Sequence, residues 1–183
     1  REPRQNYLME TDHDEDGKIK EKMSIPEANF KSDYLDENKN EADFNYVKLL
    51  VRTLKEIKSL DFEFIIMLAG HYPLLSHCRS AVEIFNLQTR GDSKAWATSG
   101  YELVQKELPN AGDHAAAWET SLMMYFRPEL VNMEKLPDDE KESLIGIMGR
   151  DPRKHASLEY GKKGVKLIVE KINDKIQKIL EVK

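Results

Sequence analysis

Two short stretches bring together residue types that can do chemistry. The first is Gly70-His71-Tyr72, closing the continuously apolar run "FIIMLAG". In open α/β sheets ligands bind at the carboxyl ends of strands, so a histidine set there by a glycine turn is placed for a metal or a substrate. A ring that only donates to a loop carbonyl would fit the position equally well. The second is "DHAAAWETSLMMYFRPELV", Asp113 to Val131. Asp113 can N-cap a helix beginning at His114, accepting a backbone N–H and suiting the positive end of the helix dipole. Ala115, Ala116 and Ala117 favour the helix and leave space beside it. Trp118, Leu122, Tyr125 and Phe126 then form its packed face. Glu119 falls at the edge of that face, where a charge needs a partner, and a metal ion or an arginine would serve alike. By helix geometry alone, this stretch is a capped core helix.

The elements that must hold these residues follow from periodicity. Residues 1–40 are polar and carry no sustained period, so they read as an irregular acidic excursion with at most one short strand. From Glu41 the spacing of Phe44, Val47, Leu50, Val51, Leu54 and Ile57 predicts a helix. The run at 62–71 is apolar throughout, the pattern of a strand buried on both faces of a parallel sheet. Leu74, Leu75, Cys78, Ala81, Val82 and Phe85 share a face of the next helix. A turn, "QTRGDS", leads to a second strand, "KAWATS". The Asp113 helix ends by Pro128. A loop-rich connection, "EKLPDDEKESLIGIMGRDPRKH", precedes an amphipathic closing helix with a stripe of Val165, Ile168, Val169, Ile172, Ile176, Ile179 and Leu180. This alternation predicts an α/β fold with a mostly parallel sheet. Two strands fall short of the about five or six of a doubly wound sheet. The expectation is therefore one domain over 1–183 that is the later portion of a larger α/β unit.

Bulk properties narrow the function. The chain has 183 residues, 40% hydrophobic and 33% charged, with a net charge of −5. That balance fits a globular protein and supplies no basic patch for nucleic acid. No apolar run is long enough to span a membrane, and the N-terminus has no signal-peptide core. A lone Cys78 excludes a disulfide framework within one chain and suits a reducing cytoplasm; its setting is that of a small core residue. His77 points away from the Leu74–Cys78 stripe and is expected to be exposed. His13 belongs to an acidic loop and His155 to a basic one. No Gly-rich phosphate loop, C-x-x-C pair or G-x-S-x-G elbow is present.

Three segments carry a family resemblance: "IIMLAGHYP", "DHAAAWETSLMMYFRPELVNM" and "GRDPRKHASLEYGKKGVKLIVEKI". They resemble, in order, the strand ending in Gly-His-Tyr, the histidine-to-Glu-Thr-Ser segment, and the closing Gly-Asp-Pro, Ala-Ser and Glu-x-Gly run of the creatininase (creatinine amidohydrolase) family. The resemblance covers the chain from about Phe44 onward. It implies a three-layer α/β/α scaffold with a mostly parallel sheet. It also implies a hydrolase of non-peptide C–N amide bonds in small molecules, dependent on divalent zinc or manganese, in which metal-activated water attacks. By the same resemblance His71 is a metal ligand, Tyr72 contacts substrate, and His114 handles the substrate or leaving-group proton. Tyr101 lies near the aromatic wall, Asp113 on the substrate side, and Glu119 is a candidate second ligand. The family takes further ligands from an N-terminal Glu-x-His and an Asp, which have no counterpart here. Where relatives place a carboxylate, this sequence has Pro73 and Ala117. A homo-oligomer acting on a small amide, with no nucleic acid or membrane partner, is the expectation. The alternative is a catalytically impaired member that binds or assembles.

The acidic run "DHDEDGKIKEKM", 12–23, begins like a calcium loop. Its twelfth position, where a bidentate glutamate closes the oxygen shell, is Met23. Calorimetry with Ca²⁺ should therefore show no tight binding; a submicromolar site would overturn this assignment.

Overall fold

The computed structural model describes residues 39–90 and 93–180. Residues 1–38 lie outside them, and with them the calcium-like run and all of the acidic excursion except Lys39 and Asn40. The described residues form two compact units that meet in sequence at Gly100 and Tyr101.

The first unit runs α1 (Lys39–Ser59), β1 (Phe64–Ala69), a 3₁₀ turn (Tyr72–Leu74), α2 (Leu75–Thr89) and β2 (Lys94–Ser99). Helix α1 takes its stripe from Val47, Leu50, Val51, Leu54 and Ile57, as the spacing predicts, but Phe44, expected on the same face, is 69% exposed. Because α2 carries the chain back along the sheet, β1 and β2 pair in parallel, from Phe64 opposite Lys94 to Ala69 opposite Ser99. Leu54, Phe85, Ala81, Cys78, Ala95 and Ala97 build one core. Small side chains on both α2 and β2 let helix and sheet approach closely. Only alternate residues of β1 are shielded: Ile65 and Ala69 are buried, whereas Leu68 is 51% exposed. The apolar run therefore does not mark burial on both faces within this unit, because α1 and α2 pack with the Ile65 face.

Polar side chains finish the sheet. Asn86 on α2 donates from Nδ2 to the Ala95 carbonyl (3.0 Å), and its Oδ1 accepts the Ala95 N–H (2.7 Å). Lys94 donates its N–H to Glu63 beside β1, so the backbone groups of Ala95 face the opposite edge. The Asn86 amide thus stands in for a neighbouring strand and blunts that edge. Thr89 donates to the Ser93 carbonyl (2.9 Å), and Ser93 to that of Phe62 (2.9 Å). His77 departs from expectation. Its Nε2 lies 3.0 Å from Asp43 Oδ1, and the ring packs edge-on against Tyr46. The α1 partner explains the difference, since periodicity within α2 cannot reveal it. Cys78 is buried, and burial pushes its thiol up, away from the reactive thiolate.

The second unit holds α3 (Gly100–Val104), α4 (Ala117–Phe126), two 3₁₀ turns (Pro128–Leu130 and Met133–Lys135), α5 (Pro152–His155) and α6 (Leu158–Leu180). Val104, Leu108, Ala111 and Trp118 form its core, with Leu122, Tyr160, Leu167 and Ile168 against them. Helices α4 and α6 approach so closely that a Cβ at Gly161 would sit 1.9 Å from the Ser121 carbonyl oxygen, and one at Gly164 2.6 Å from the Trp118 ring. Of the face expected for α4, Trp118 is buried and Leu122 half-buried, but Tyr125 and Phe126 are exposed. On α6, Val169 is exposed as well.

Asn86→Ala leaves the outward N–H and carbonyl of Ala95 without their protein partner. A loss of about 1–3 kcal/mol in urea unfolding is expected, with Asn86→Asp in between because it keeps the acceptor. Wild-type stability in Asn86→Ala would contradict the edge-blunting role.

Candidate active site

His71 and Tyr72 stand where the sheet argument places them. Strand β1 ends at Ala69, Gly70 makes the break, and His71 immediately precedes the 3₁₀ turn that Tyr72 opens. The His71 carbonyl accepts the Leu74 N–H (3.1 Å), which fixes the backbone at the strand's carboxyl end. Both side chains are exposed.

The other candidates meet in the second unit, at the start of α4. The helix does not begin at His114; it begins at Ala117. The reason is visible in three consecutive residues. His114 is extended and forms an isolated antiparallel bridge with Met148: each accepts the other's N–H, at 2.8 and 2.9 Å. Ala115 takes a left-handed backbone, φ 48°. Ala116, the formal cap position, has no side chain that can bond. The capping role passes to Asp113, several residues upstream. Its Oδ2 accepts the Trp118 N–H (2.7 Å) and its Oδ1 the Glu119 N–H (3.1 Å). Glu119 reciprocates by accepting the Ala115 N–H at Oε2 (2.7 Å), the two-way logic of a capping box spread over a longer loop. The partner that Glu119 needs is thus, for one oxygen, a backbone N–H.

Burial pushes the Asp113 carboxyl above the usual aspartate range, against the opposing pull of the N–H groups of Trp118, Glu119 and Ala116. Tyr160 lies close by, edge-on to Trp118 at 5.7 Å between centroids. Burial and the Asp113 charge raise its hydroxyl. Tyr101 borders the same loop, since a Cβ on Gly112 would come within 2.7 Å of its ring. The structure therefore gathers Tyr101, Asp113, His114 and Glu119 around one helix start, while His71 and Tyr72 belong to the other unit.

A second segment completes the loop's support. Arg150 offers its carbonyl to the Ala117 N–H (3.0 Å). Gly149, at φ 142°, passes so close that a Cβ there would lie 2.5 Å from that of Asp113. Ser121 accepts the Ser157 N–H (2.9 Å), and Ser157 caps α6 by accepting from Tyr160 (3.1 Å). Much of what the Glu-Thr-Ser, Gly-Asp-Pro and Ala-Ser patterns encode is therefore this scaffold. Sequence reasoning missed the part played by Gly149 and Ser121. A readable signal existed at Asp151-Pro152, an N-cap followed by a proline at the first helical position, which opens α5.

Among the described residues, no three or more His, Cys, Asp or Glu side chains come together as a group able to hold a metal ion. They do not fit a metal centre by themselves.

A family model for Creatininase (creatinine amidohydrolase) matches residues 44–176. No curated protein sequence gives a significant match. Among solved structures the chain resembles a creatinine amidohydrolase (creatininase), with a TM-score of 0.58 and 18% identity over 74% of this chain and 63% of that one. It also resembles a manganese creatininase (TM-score 0.56, 17% identity) and a zinc–zinc creatininase mutant (TM-score 0.57, 17% identity), each over 74% of this chain and 64% of the other. The chain thus spans less than two thirds of the length of these structures. At such identities the likeness speaks for the fold: the α/β class that the strand-and-helix alternation predicts, in the creatininase-like form that the family resemblance implies. With both described strands, the His114 loop and most of the first and last described helices inside the matched span, the chain belongs to the creatininase family.

Proposed function

We propose that this protein is a cytoplasmic amidohydrolase that cleaves a non-peptide C–N bond, in a cyclic or linear amide of a small molecule. The observation that carries this is the family match over 44–176, which takes in both histidine segments. His114 is the catalytic residue of this reading. Water attack on an amide carbonyl leaves a poor leaving group unless the departing nitrogen gains a proton, and an imidazole is suited to supply it near neutral pH. Its backbone is fixed on both sides, by Met148 and by the Asp113-capped helix, which favours a reproducible geometry. In the His114 unit Tyr101 is the candidate substrate contact and Asp113 borders it while holding the loop; Tyr72 is the candidate contact of the other unit.

A zinc or manganese requirement belongs to this reading, with His71 the candidate ligand of its own unit and Glu119, through the oxygen that Ala115 does not use, the candidate of the other. Among the described residues neither belongs to a group of three or more such donors. Assembly into a homo-oligomer is also proposed. Among the described residues β1 pairs only with β2, which leaves its other edge for a neighbouring chain. No helix among the described residues is long and apolar enough to cross a membrane.

Pro73 and Ala117, which stand where relatives place a carboxylate, support a second reading in which the chain binds or assembles without catalysis. One experiment separates them. Bound metal and amide hydrolysis are measured on the whole chain above about pH 7, where histidine ligands are neutral. The enzyme reading expects near-stoichiometric zinc or manganese that falls on His71→Ala. It also expects a rate that drops about 10²- to 10⁴-fold in His114→Ala. Absence of both metal and hydrolysis in the wild type would establish the binding protein instead.

A further inference from the structure

Segment 143–150 follows the 3₁₀ turns and ends beside the His114 loop, and one side chain ties its two ends together. Arg153 is only 14% exposed at its side chain. Its Nε contacts both oxygens of Asp151 (3.1 and 3.0 Å), and Nη2 reaches Oδ2 at 2.8 Å. Nη1 donates to the carbonyls of Pro137 (3.0 Å) and Asp139 (2.9 Å), while Nη2 also reaches those of Glu140 (3.3 Å) and Glu142 (3.5 Å). A single guanidinium thus gathers four carbonyls from the residues just before the segment and the carboxylate that follows its end. Only a planar, five-donor fork can serve so many acceptors at once. The Lys154–Glu140 ion pair closes the same loop from outside.

Inside the closed segment are the two backbone attachments of the proposed catalytic loop. Met148 exchanges both hydrogen bonds with His114, and Arg150 accepts from Ala117. Neither attachment lies in a helix or a multi-residue strand, so nothing periodic holds them in register. We propose that Arg153 is a positioning residue for His114: by closing residues 143–150 it holds Met148 and Arg150 where they fix the histidine's backbone. The guanidinium also holds the Asp151 carboxyl below the usual aspartate range, which favours the charged pair. The inference rests on the assignment of His114 above, and it extends the site to a side chain that touches no proposed substrate contact.

The test is amide hydrogen exchange at His114 and Met148 in wild type, Arg153→Lys and Arg153→Met, followed by kcat and KM on whichever amide the wild type hydrolyses. Lysine keeps the charge and loses the fork. If Arg153→Met fails to fold, Arg153→Lys alone decides. Expected is exchange about tenfold faster at both amides in Arg153→Lys, with the α6 amides of Leu167 and Ile168 unchanged. A fall of about tenfold in kcat with little change in KM should accompany it, larger in Arg153→Met than in Arg153→Lys. Wild-type exchange at His114 and Met148, alongside faster exchange at 139–142, would overturn the proposal and leave Arg153 a local loop clamp. Exchange is read without substrate. An inactive wild type therefore counts against the proposed function, while the amides still decide the role of Arg153.

Discussion

A half-buried carboxylate that accepts two backbone N–H groups decides how the second unit is built. Asp113 could have capped a helix starting at the next residue. Its oxygens instead reach Trp118 and Glu119, which sets the first helical turn at Ala117 and leaves His114, Ala115 and Ala116 as loop. The left-handed backbone at Ala115 costs roughly 1–2 kcal/mol for a residue with a Cβ. Two local bonds help offset it, the Ala115 N–H to Glu119 and the Thr120 hydroxyl to the Ala115 carbonyl. A close passage by Gly149 completes the arrangement, and no larger residue fits there. The extended histidine, the bridge to Met148 and the glycine opposite all follow from where one carboxylate finds its donors.

That carboxylate is under opposed forces. Two N–H bonds and the helix dipole favour its charged form, and burial disfavours it more strongly, so its proton is held above the ordinary aspartate range. The sign for stability follows directly. In the window above the ordinary value of 3.8, the folded state still holds a proton that the unfolded state has released. This group's contribution therefore falls as pH rises through that window, to a lower plateau beyond the folded value. A cap at a desolvated position gives up some stability in exchange for a fixed loop.

Much of this was legible from residue order. The α1 and α2 stripes, both strands and the break at Gly70 are period and composition effects, which a sequence carries locally. So is the end of α4 before Pro128. What was not legible depends on partners far along the chain. His77 turns inward because Asp43 and Tyr46 on another helix receive it. Asn86 matters because β2 has an edge at Ala95. The start of α4 moved because three alanines offer no marker, while Met148 and Arg150, which pin His114 and Ala117, lie more than thirty positions on. The loop-rich stretch before α5 reads as unstructured by period, yet Arg153 organises it through carbonyls, and carbonyls are invisible in a sequence. The familiar motif letters pointed to the correct family, but a good part of their physical content proved to be scaffold.

The most direct test of the account is a carbon-detected NMR titration of the Asp113 carboxyl together with the amide nitrogens of Trp118 and Glu119. If this carboxylate caps α4 from the loop, all three follow one midpoint, and that midpoint lies above 3.8. Amides that ignore the titration, or a midpoint at or below that value, would contradict the claim that a desolvated Asp113 holds the His114 loop in place.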